Sequence, residues 1–135
     1  MVHQYRCLRS FRFVNLRMAE HDDFTRILQL SEQAALSSST RPLLLDIGCC
    51  LGMDLRYLPY VGYPALCLLG CDLRPEFIDL GYRFYGDRGF SKIHFFSDDI
   101  LQLRIPASTD TINDSSLLKE VNDLNQLCGR VKYIY

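Results

Sequence analysis

The sequence predicts an α/β domain built on a parallel sheet with helices on both faces. Short apolar runs, typical of strands buried on both sides, alternate along the chain with amphipathic helical patterns. This alternation favours parallel strands, because each helix carries the chain back across the sheet. A length of 135 residues fits one domain, and the hydrophobic share of 48% is enough for a core.

The first half of the chain contains two predicted helices and two predicted strands. Apolar residues recur at helical spacing over residues 22–36 and predict a helix. The run PLLLDI (42–47) predicts a buried strand, and ALCLLGCDL (65–73) predicts a second one. Between them, residues 52–61 predict a short helix whose length is limited by Pro59.

The second half continues this alternation. Pro75 suits the first turn of a helix that runs to about Tyr85, and KIHFFSDD (92–99) predicts a third strand. A stripe of apolar residues predicts a helix over residues 114–129, and VKYIY (131–135) predicts a fourth strand. No repeat, low-complexity tract or domain boundary interrupts the pattern.

Composition and charge argue against several classes of function. The formal net charge of −1, from 15 Lys+Arg and 16 Asp+Glu, gives no general attraction to nucleic acid or to an anionic membrane. No apolar run approaches the ~20 residues of a membrane span, and the Arg-containing amino-terminal region lacks the apolar core of a signal peptide. We therefore expect a cytoplasmic protein that has neither nucleic acid nor membrane as a partner.

The six cysteines are expected to be packing residues, and no metal is expected. No C-x-x-C pair occurs, and no Cys/His cluster has zinc spacing. Cys67 and Cys71 are four residues apart in a predicted strand, so they should face the same side as small buried hydrophobic residues. For Cys49 and Cys50, a strained vicinal disulfide or a reactive thiol is an alternative, although no base is placed to support it.

The loop after the first predicted strand indicates a ligand site. In LLLDIGCCLGMDLRYL (43–58), Asp46 is followed by Gly48, Cys50 and Gly52 at alternate positions. Glycines let the backbone approach a ligand, and the start of the following helix favours an anionic group. No P-loop lysine follows, which excludes a Walker-type site. The alternative is that the glycines serve only the turn.

Acidic residues end the next two predicted strands. Asp72 follows Gly52 by 20 residues, where sheets of this kind place a carboxylate that accepts from both hydroxyls of a ribose. Each such bond is worth ~1.5–3 kcal/mol. The alternatives are that Asp72 caps the helix that begins at Pro75, and that Asp98 and Asp99 are a solvated pair.

Three segments in order resemble the cofactor motifs of class I S-adenosylmethionine-dependent methyltransferases: LLLDIGCCLGMDLRYL, LGCDLRPEFIDLGYRFYGDR and FFSDDIL. The resemblance is closest to fungal secondary-metabolite methyltransferases of terpenoid and meroterpenoid pathways, and it includes YRCLRSFRFVNLRM (5–18). It implies a Rossmann-like sheet of seven strands in the order 3-2-1-4-5-7-6. This chain would contain about four, in the order 3-2-1-4, with a lead-in over residues 1–40 and the cofactor-binding half over residues 41–135.

The resemblance also implies a set of residues that bind S-adenosylmethionine. The residues at the end of the first strand and in the loop after it would hold the methionine end of the cofactor. The residues at the end of the second strand would hold the ribose and lie beside the adenine. The residues after the third strand would contact the amino edge of the adenine. The set is Asp46, Gly48, Gly52, Asp72, Leu73, Asp98, Asp99 and Ile100. Cys50 stands where the family has a glycine, so its side chain would narrow the approach to the cofactor.

The activity implied is methylation of a small molecule. The sulfonium cofactor carries the reactive methyl group, and the protein aligns the nucleophile with it. None of His3, His21 and His94 is a convincing general base, and a carboxylate acceptor, which would become a methyl ester, needs none. Three alternatives stay open: an activity impaired by truncation, a non-methylating cyclase or isomerase on this scaffold, and a non-catalytic half that needs a partner chain.

The fourth predicted strand bears on self-association. In the family's strand order a fifth strand would pair with its far side, and this chain would lack that strand. VKYIY is β-prone and has Lys132 as its only charge, and an uncovered edge of this kind pairs with other chains. We therefore expect either a homodimer through residues 131–135 or poor solubility.

Overall fold

The computed structural model describes residues 5–37, 42–104 and 118–135. Its centre is a four-stranded sheet in the order β3-β2-β1-β4, in which every neighbouring pair is parallel. The strands are β1 (Leu43–Ile47), β2 (Leu68–Asp72), β3 (His94–Ser97) and β4 (Val131–Ile134). The predicted α/β class and the implied strand order are therefore confirmed.

Helical segments connect these strands. The α-helices in the described part of the chain are α1 (Arg6–Arg9), α2 (Phe24–Ser37), α3 (Met53–Tyr57) and α4 (Pro75–Tyr85). Short 3-10 turns occur at Arg12–Val14, Leu58–Val61, Ala65–Cys67, Ile100–Gln102, Leu118–Glu120 and Leu124–Leu127. Helix α4 has the predicted bounds: it starts at a proline and stops before Gly86, whose φ of 67° suits glycine.

The helix predicted over residues 114–129 is wrong where the structure describes that segment. Residues 114–117 lie outside the described residues, and the rest contains two separate 3-10 turns rather than an α-helix. The buried residues Val121, Leu124 and Leu127 recur every third position, which is the period of a 3-10 helix. Leu124 and Leu127 lie in the second 3-10 turn and Val121 lies between the two turns, and all three pack in the core cluster that contains Leu45 and Leu69.

The second strand begins later than predicted. Pro64 accepts a hydrogen bond from the Cys67 N–H at 2.9 Å, and this closes a 3-10 turn before β2 starts at Leu68. Cys67 and Cys71 therefore do not share one face of a strand, as the sequence had predicted. They pack against different core clusters, one on each side of the sheet.

Both faces of the sheet are covered. One core cluster joins the sheet to α2, α3 and the turn after α3, and its buried members include Leu44, Leu55, Leu58, Tyr63 and Leu68. The other joins the sheet to the 3-10 turns near the carboxyl terminus, and its buried members include Leu45, Leu69, Phe96, Leu124 and Leu127. Within the residues described, none of the helices has the length and apolar character needed to cross a bilayer.

Candidate functional site

A cavity of about 470 Å³ lies at the carboxyl ends of β1, β2 and β3. Ligands of parallel α/β sheets bind at this edge, and the volume is typical of small-molecule sites. The walls come from the strand ends, the loops that follow them, helix α4 and the amino-terminal segment. The lining residues are Tyr5, Ile47, Gly48, Cys50, Cys71, Asp72, Leu73, Phe77, Asp98, Asp99, Ile100 and Leu101.

The cavity brings together most of the residues that the family resemblance assigned to the cofactor. Six of the eight line it: Gly48, Asp72, Leu73, Asp98, Asp99 and Ile100. The other two, Asp46 and Gly52, do not line it. Asp46 is buried at the end of β1, with an exposed fraction of 6%, and Gly52 faces Arg56 and Phe95.

The sequence did not single out the aromatic wall of the cavity. Tyr5 and Phe77 meet edge to face with ring centroids 5.3 Å apart. Phe77 is buried in α4, but nothing in the sequence predicted its position at the cavity. Tyr5 had no comparable signal, because its contact depends on a tertiary approach between distant segments.

The loop of residues 48–52 turns tightly between β1 and α3. Gly48, Cys50 and Gly52 have φ angles of 79°, 53° and 72°. A Cβ on Gly48 would meet no atom within 4 Å, so the backbone there faces open space. Cys50 adopts the left-handed conformation with a side chain, at a cost of about 1–2 kcal/mol. Cys50, which stands where the resemblance implies a glycine, therefore carries backbone strain that a glycine would not have.

Asp72 connects β2 to this loop. Its Oδ2 accepts a hydrogen bond from the Cys50 N–H at 2.8 Å, and its Oδ1 accepts one from the Arg74 N–H at 2.9 Å. The second bond closes an Asx turn and does not cap α4, since the N-cap residue Arg74 makes no side-chain cap bond. A carboxylate has about four acceptor positions, so these two bonds leave capacity for ligand hydroxyl groups.

Asp46 is a buried carboxyl group beneath the loop. Burial, followed by the negative charges of Asp54 and Asp72, raises the pKa of Asp46 to about 7. Asp54 accepts a hydrogen bond from the Met18 N–H at 3.0 Å, which ties the amino-terminal segment to α3. A cation placed near Asp46 would favour its ionised form.

The two aspartates after β3 hold the cavity wall. The carboxylate of Asp98 accepts hydrogen bonds from the Asp99 N–H at 2.8 Å and from the Leu124 N–H at 2.7 Å. Asp99 caps the following 3-10 turn by accepting from the Leu101 N–H at 3.0 Å. Asp98 therefore fastens the third strand to the carboxyl-terminal segment and is more than a solvated surface residue.

Cys49 and Cys71 do not have the surroundings of reactive cysteines. Burial, followed by the charge of Asp46, raises the pKa of Cys49 well above its usual value. Burial likewise raises the pKa of Cys71 to about 12. Both effects disfavour the thiolate, which is the reactive form. No disulfide joins Cys49 to Cys50, and no group of three or more His, Cys, Asp or Glu in the described segments could hold a metal ion.

Comparison with known proteins places this arrangement in a family. No protein-family model matches the chain. It is 33% identical over 134 residues to methyltransferase adrK of Penicillium roqueforti, a match that covers 99% of this chain. It is 36% identical over 101 residues to methyltransferase ausD of Aspergillus calidoustus, a match that covers 74% of this chain. It is also 36% identical over 104 residues to O-methyltransferase atr3 of Stereocaulon alpinum, a match that covers 76% of this chain.

The chain is much shorter than these relatives. It spans 40% of the length of adrK, 34% of ausD and 28% of atr3. A parallel sheet with a cavity at its carboxyl edge, together with these similarities, defines the class of protein. The chain belongs to the class I S-adenosylmethionine-dependent methyltransferase family, as its motifs indicated.

Proposed function

We propose that this chain is the cofactor-binding part of an S-adenosylmethionine-dependent methyltransferase that acts on a small-molecule intermediate of a fungal secondary-metabolite pathway. The main support is the cavity, which is lined by six residues that the family motifs assign to the cofactor. The methyltransferase names of the fungal relatives support the reaction class.

The chemistry of the cavity wall fits this cofactor. Asp72 offers a carboxylate to the two ribose hydroxyls while it holds the loop. Leu73 and Ile100 are exposed apolar side chains at the cavity, suited to the faces of a flat base. In this proposal Asp99 accepts from the adenine amino group, and Asp98 holds Asp99 in place through its bond to the Asp99 N–H.

The methionine end of the cofactor belongs beside β1 in this proposal. The backbone at Gly48 faces open space, so a ligand can approach it closely. The ionised carboxylate of Asp46 would compensate the charge of an α-ammonium group from beneath the loop. Gly52 contributes differently, since its lack of a side chain is used in packing.

In the proposed reaction the residues that the structure describes at the cavity orient the cofactor, and the proposal assigns them no proton transfer. When bound, S-adenosylmethionine supplies an electrophilic methyl group, and transfer requires an acceptor in line with it. We propose a carboxylate acceptor that becomes a methyl ester, because a carboxylate is nucleophilic without a general base. His94 fits a structural role, since its Nε2 lies 2.5 Å from the Val121 carbonyl oxygen.

Two linked assays test the proposal. Calorimetric titration with S-adenosylhomocysteine is expected to show saturable binding. Incubation with methyl-labelled S-adenosylmethionine and a matched series of a carboxylic acid, its alcohol and its methyl ester is expected to label the acid alone. Labelling of the alcohol would contradict the carboxylate assignment. Cyclisation or isomerisation of the acid without labelling would favour the non-methylating alternative.

A further inference from the structure

Arg56 contacts the end of the glycine loop from inside the protein. It lies in α3, and its Nη1 donates hydrogen bonds to the carbonyl oxygens of Leu51 at 2.6 Å and of Gly52 at 3.2 Å. These are the last two residues of the loop, whose earlier residues Gly48 and Cys50 line the cavity. The guanidinium therefore holds the end of the loop, and Arg56 itself does not line the cavity.

An ion pair fixes the orientation of this guanidinium. The Asp87 carboxylate accepts from Nε of Arg56 at 2.7 Å and from Nη2 at 3.0 Å. This two-point geometry sets the plane of the guanidinium as well as its position. The two side chains are only 11% and 13% exposed, so solvent screens the pair weakly.

Aromatic rings surround the same group. The Cζ atom of Arg56 lies 4.6 Å from the ring centroid of Tyr85, 4.7 Å from that of Phe95 and 5.6 Å from that of Tyr82. These rings belong to α4 and β3 and complete a cation–π environment. A lysine ammonium would keep the charge but could not reproduce the planar, forked set of contacts.

The peptide that Arg56 holds has little room to move. A Cβ on Gly52 would lie 2.5 Å from Cε1 of Phe95 and 2.6 Å from Nη1 of Arg56. A Cβ on Gly81 would lie 2.5 Å from the Leu51 carbonyl oxygen. Helix α4, the Phe95 ring and the guanidinium thus enclose the Leu51–Gly52 peptide, which gives Gly52 a packing role.

We propose that Arg56 is a positioning residue for the cofactor loop. By holding the carbonyls of Leu51 and Gly52, it sets the path of the preceding residues and directs the Cys50 N–H to Asp72. The inference rests on the proposed function in one respect, namely that the ligand of the cavity is S-adenosylmethionine. A loop that samples other paths is competent to bind for only part of the time, and apparent affinity falls by that fraction.

The test compares two Arg56 variants with a matched control. Arg56→Met removes the hydrogen bonds and the charge, and Arg56→Lys keeps the charge alone. Tyr63→Phe is the control, because the Tyr63 hydroxyl donates to the Pro42 carbonyl oxygen at 2.8 Å, before the start of β1 and away from the loop. All three changes lower stability, but only the first two act on the loop.

Two readouts are taken at a temperature where circular dichroism shows every variant to be folded. Calorimetry with S-adenosylhomocysteine is expected to show about tenfold weaker binding in Arg56→Met, the factor expected from the loss of charged hydrogen bonds, and a smaller loss in Arg56→Lys. Hydrogen exchange is expected to accelerate at the Cys50 and Gly52 amides, with β2 unchanged. Tyr63→Phe is expected to leave both readouts unchanged.

The two readouts separate failure of this inference from failure of the proposed function. Unchanged exchange at Cys50 and Gly52 in both Arg56 variants overturns the positioning role, whether or not the chain binds the cofactor. Faster exchange with unchanged affinity also overturns it. If the unaltered chain binds no S-adenosylhomocysteine but the Arg56 variants exchange faster at these amides, the proposed function fails and the placement of the loop by Arg56 stands.

Discussion

Asp72 holds the loop through two backbone hydrogen bonds and is proposed to bind the ribose of the cofactor, and replacing it with alanine tests both roles. The substitution removes the acceptor of the Cys50 and Arg74 N–H groups. Two hydrogen bonds to a charged acceptor contribute several kcal/mol to the free energy of unfolding. The substitution also removes the negative charge of Asp72, which disfavours the ionised form of Asp46, and this offsets part of the loss. We expect the free energy of unfolding to fall by about 2–4 kcal/mol, and the affinity for S-adenosylhomocysteine to fall at least about tenfold through the lost ribose bonds.

The assay must separate these two effects. Urea unfolding measures the first, and calorimetry at a temperature where the variant is folded measures the second. Asp79→Asn is the control, because it removes one negative charge from a side chain that is 63% exposed and pairs with Arg88 on the surface. An unchanged dissociation constant in folded Asp72→Ala would refute the ribose assignment, and an unchanged free energy of unfolding would refute the importance of the two backbone bonds.

Four further predictions concern the loop, the buried carboxyl group and the sheet edge. Cys50→Gly relieves about 1–2 kcal/mol of strain from the left-handed backbone, although the greater freedom of the unfolded chain offsets part of this gain. Calorimetry should therefore show that cofactor affinity is kept or improved. A collapse of binding in a folded variant would reveal a role for the thiol. Gly52→Ala should lower the thermal midpoint, because its Cβ would meet Phe95 and Arg56; an unchanged midpoint would contradict the packing role. The pKa of Asp46 is raised from 3.8 to about 7 in the folded state, so the native protein holds a proton that the unfolded chain has released. Urea unfolding should therefore show stability falling as pH rises between about 4 and 7, by up to about 4 kcal/mol, and Asp46→Asn should flatten this slope; the same slope in the variant would assign it elsewhere. The chain should either form a dimer through residues 131–135 or be poorly soluble, and Ile134→Lys, at a side chain that is 68% exposed, should reduce this association. Light scattering from a stable, soluble monomer of the unaltered chain at tens of micromolar would contradict the prediction.

The sequence predicted the sheet well because strands buried on both faces leave a clear apolar signature. The runs around Leu44, Leu69 and Phe96 are short and continuous, and each lies in a strand. The helix predicted over residues 114–129 failed over the described residues 118–129 for a local reason. Apolar residues at threefold spacing fit a 3-10 turn, yet they also match part of a helical pattern. The late start of β2 similarly reflects the turn that Pro64 begins.

The site was only partly predictable for a related reason. The strand-end positions of Asp72 and Asp99 follow from the alternation of elements, and six of the eight motif assignments line one cavity. The contacts by which Arg56 holds the loop of residues 48–52 do not follow from any local sequence pattern. Arg56 meets Asp87 and Phe95 across 31 and 39 positions of sequence, and such contacts emerge only when α3, α4 and β3 pack together.

The proposed function requires that the cavity at the carboxyl ends of β1, β2 and β3 binds S-adenosylmethionine. Calorimetric titration of the folded chain with this cofactor tests it most directly. Saturable binding at one site per chain is expected, with affinity at least about tenfold weaker in Asp72→Ala and unchanged in Asp79→Asn. A folded chain that takes up no cofactor at millimolar concentration, or that binds it equally well without the Asp72 carboxylate, would contradict the account.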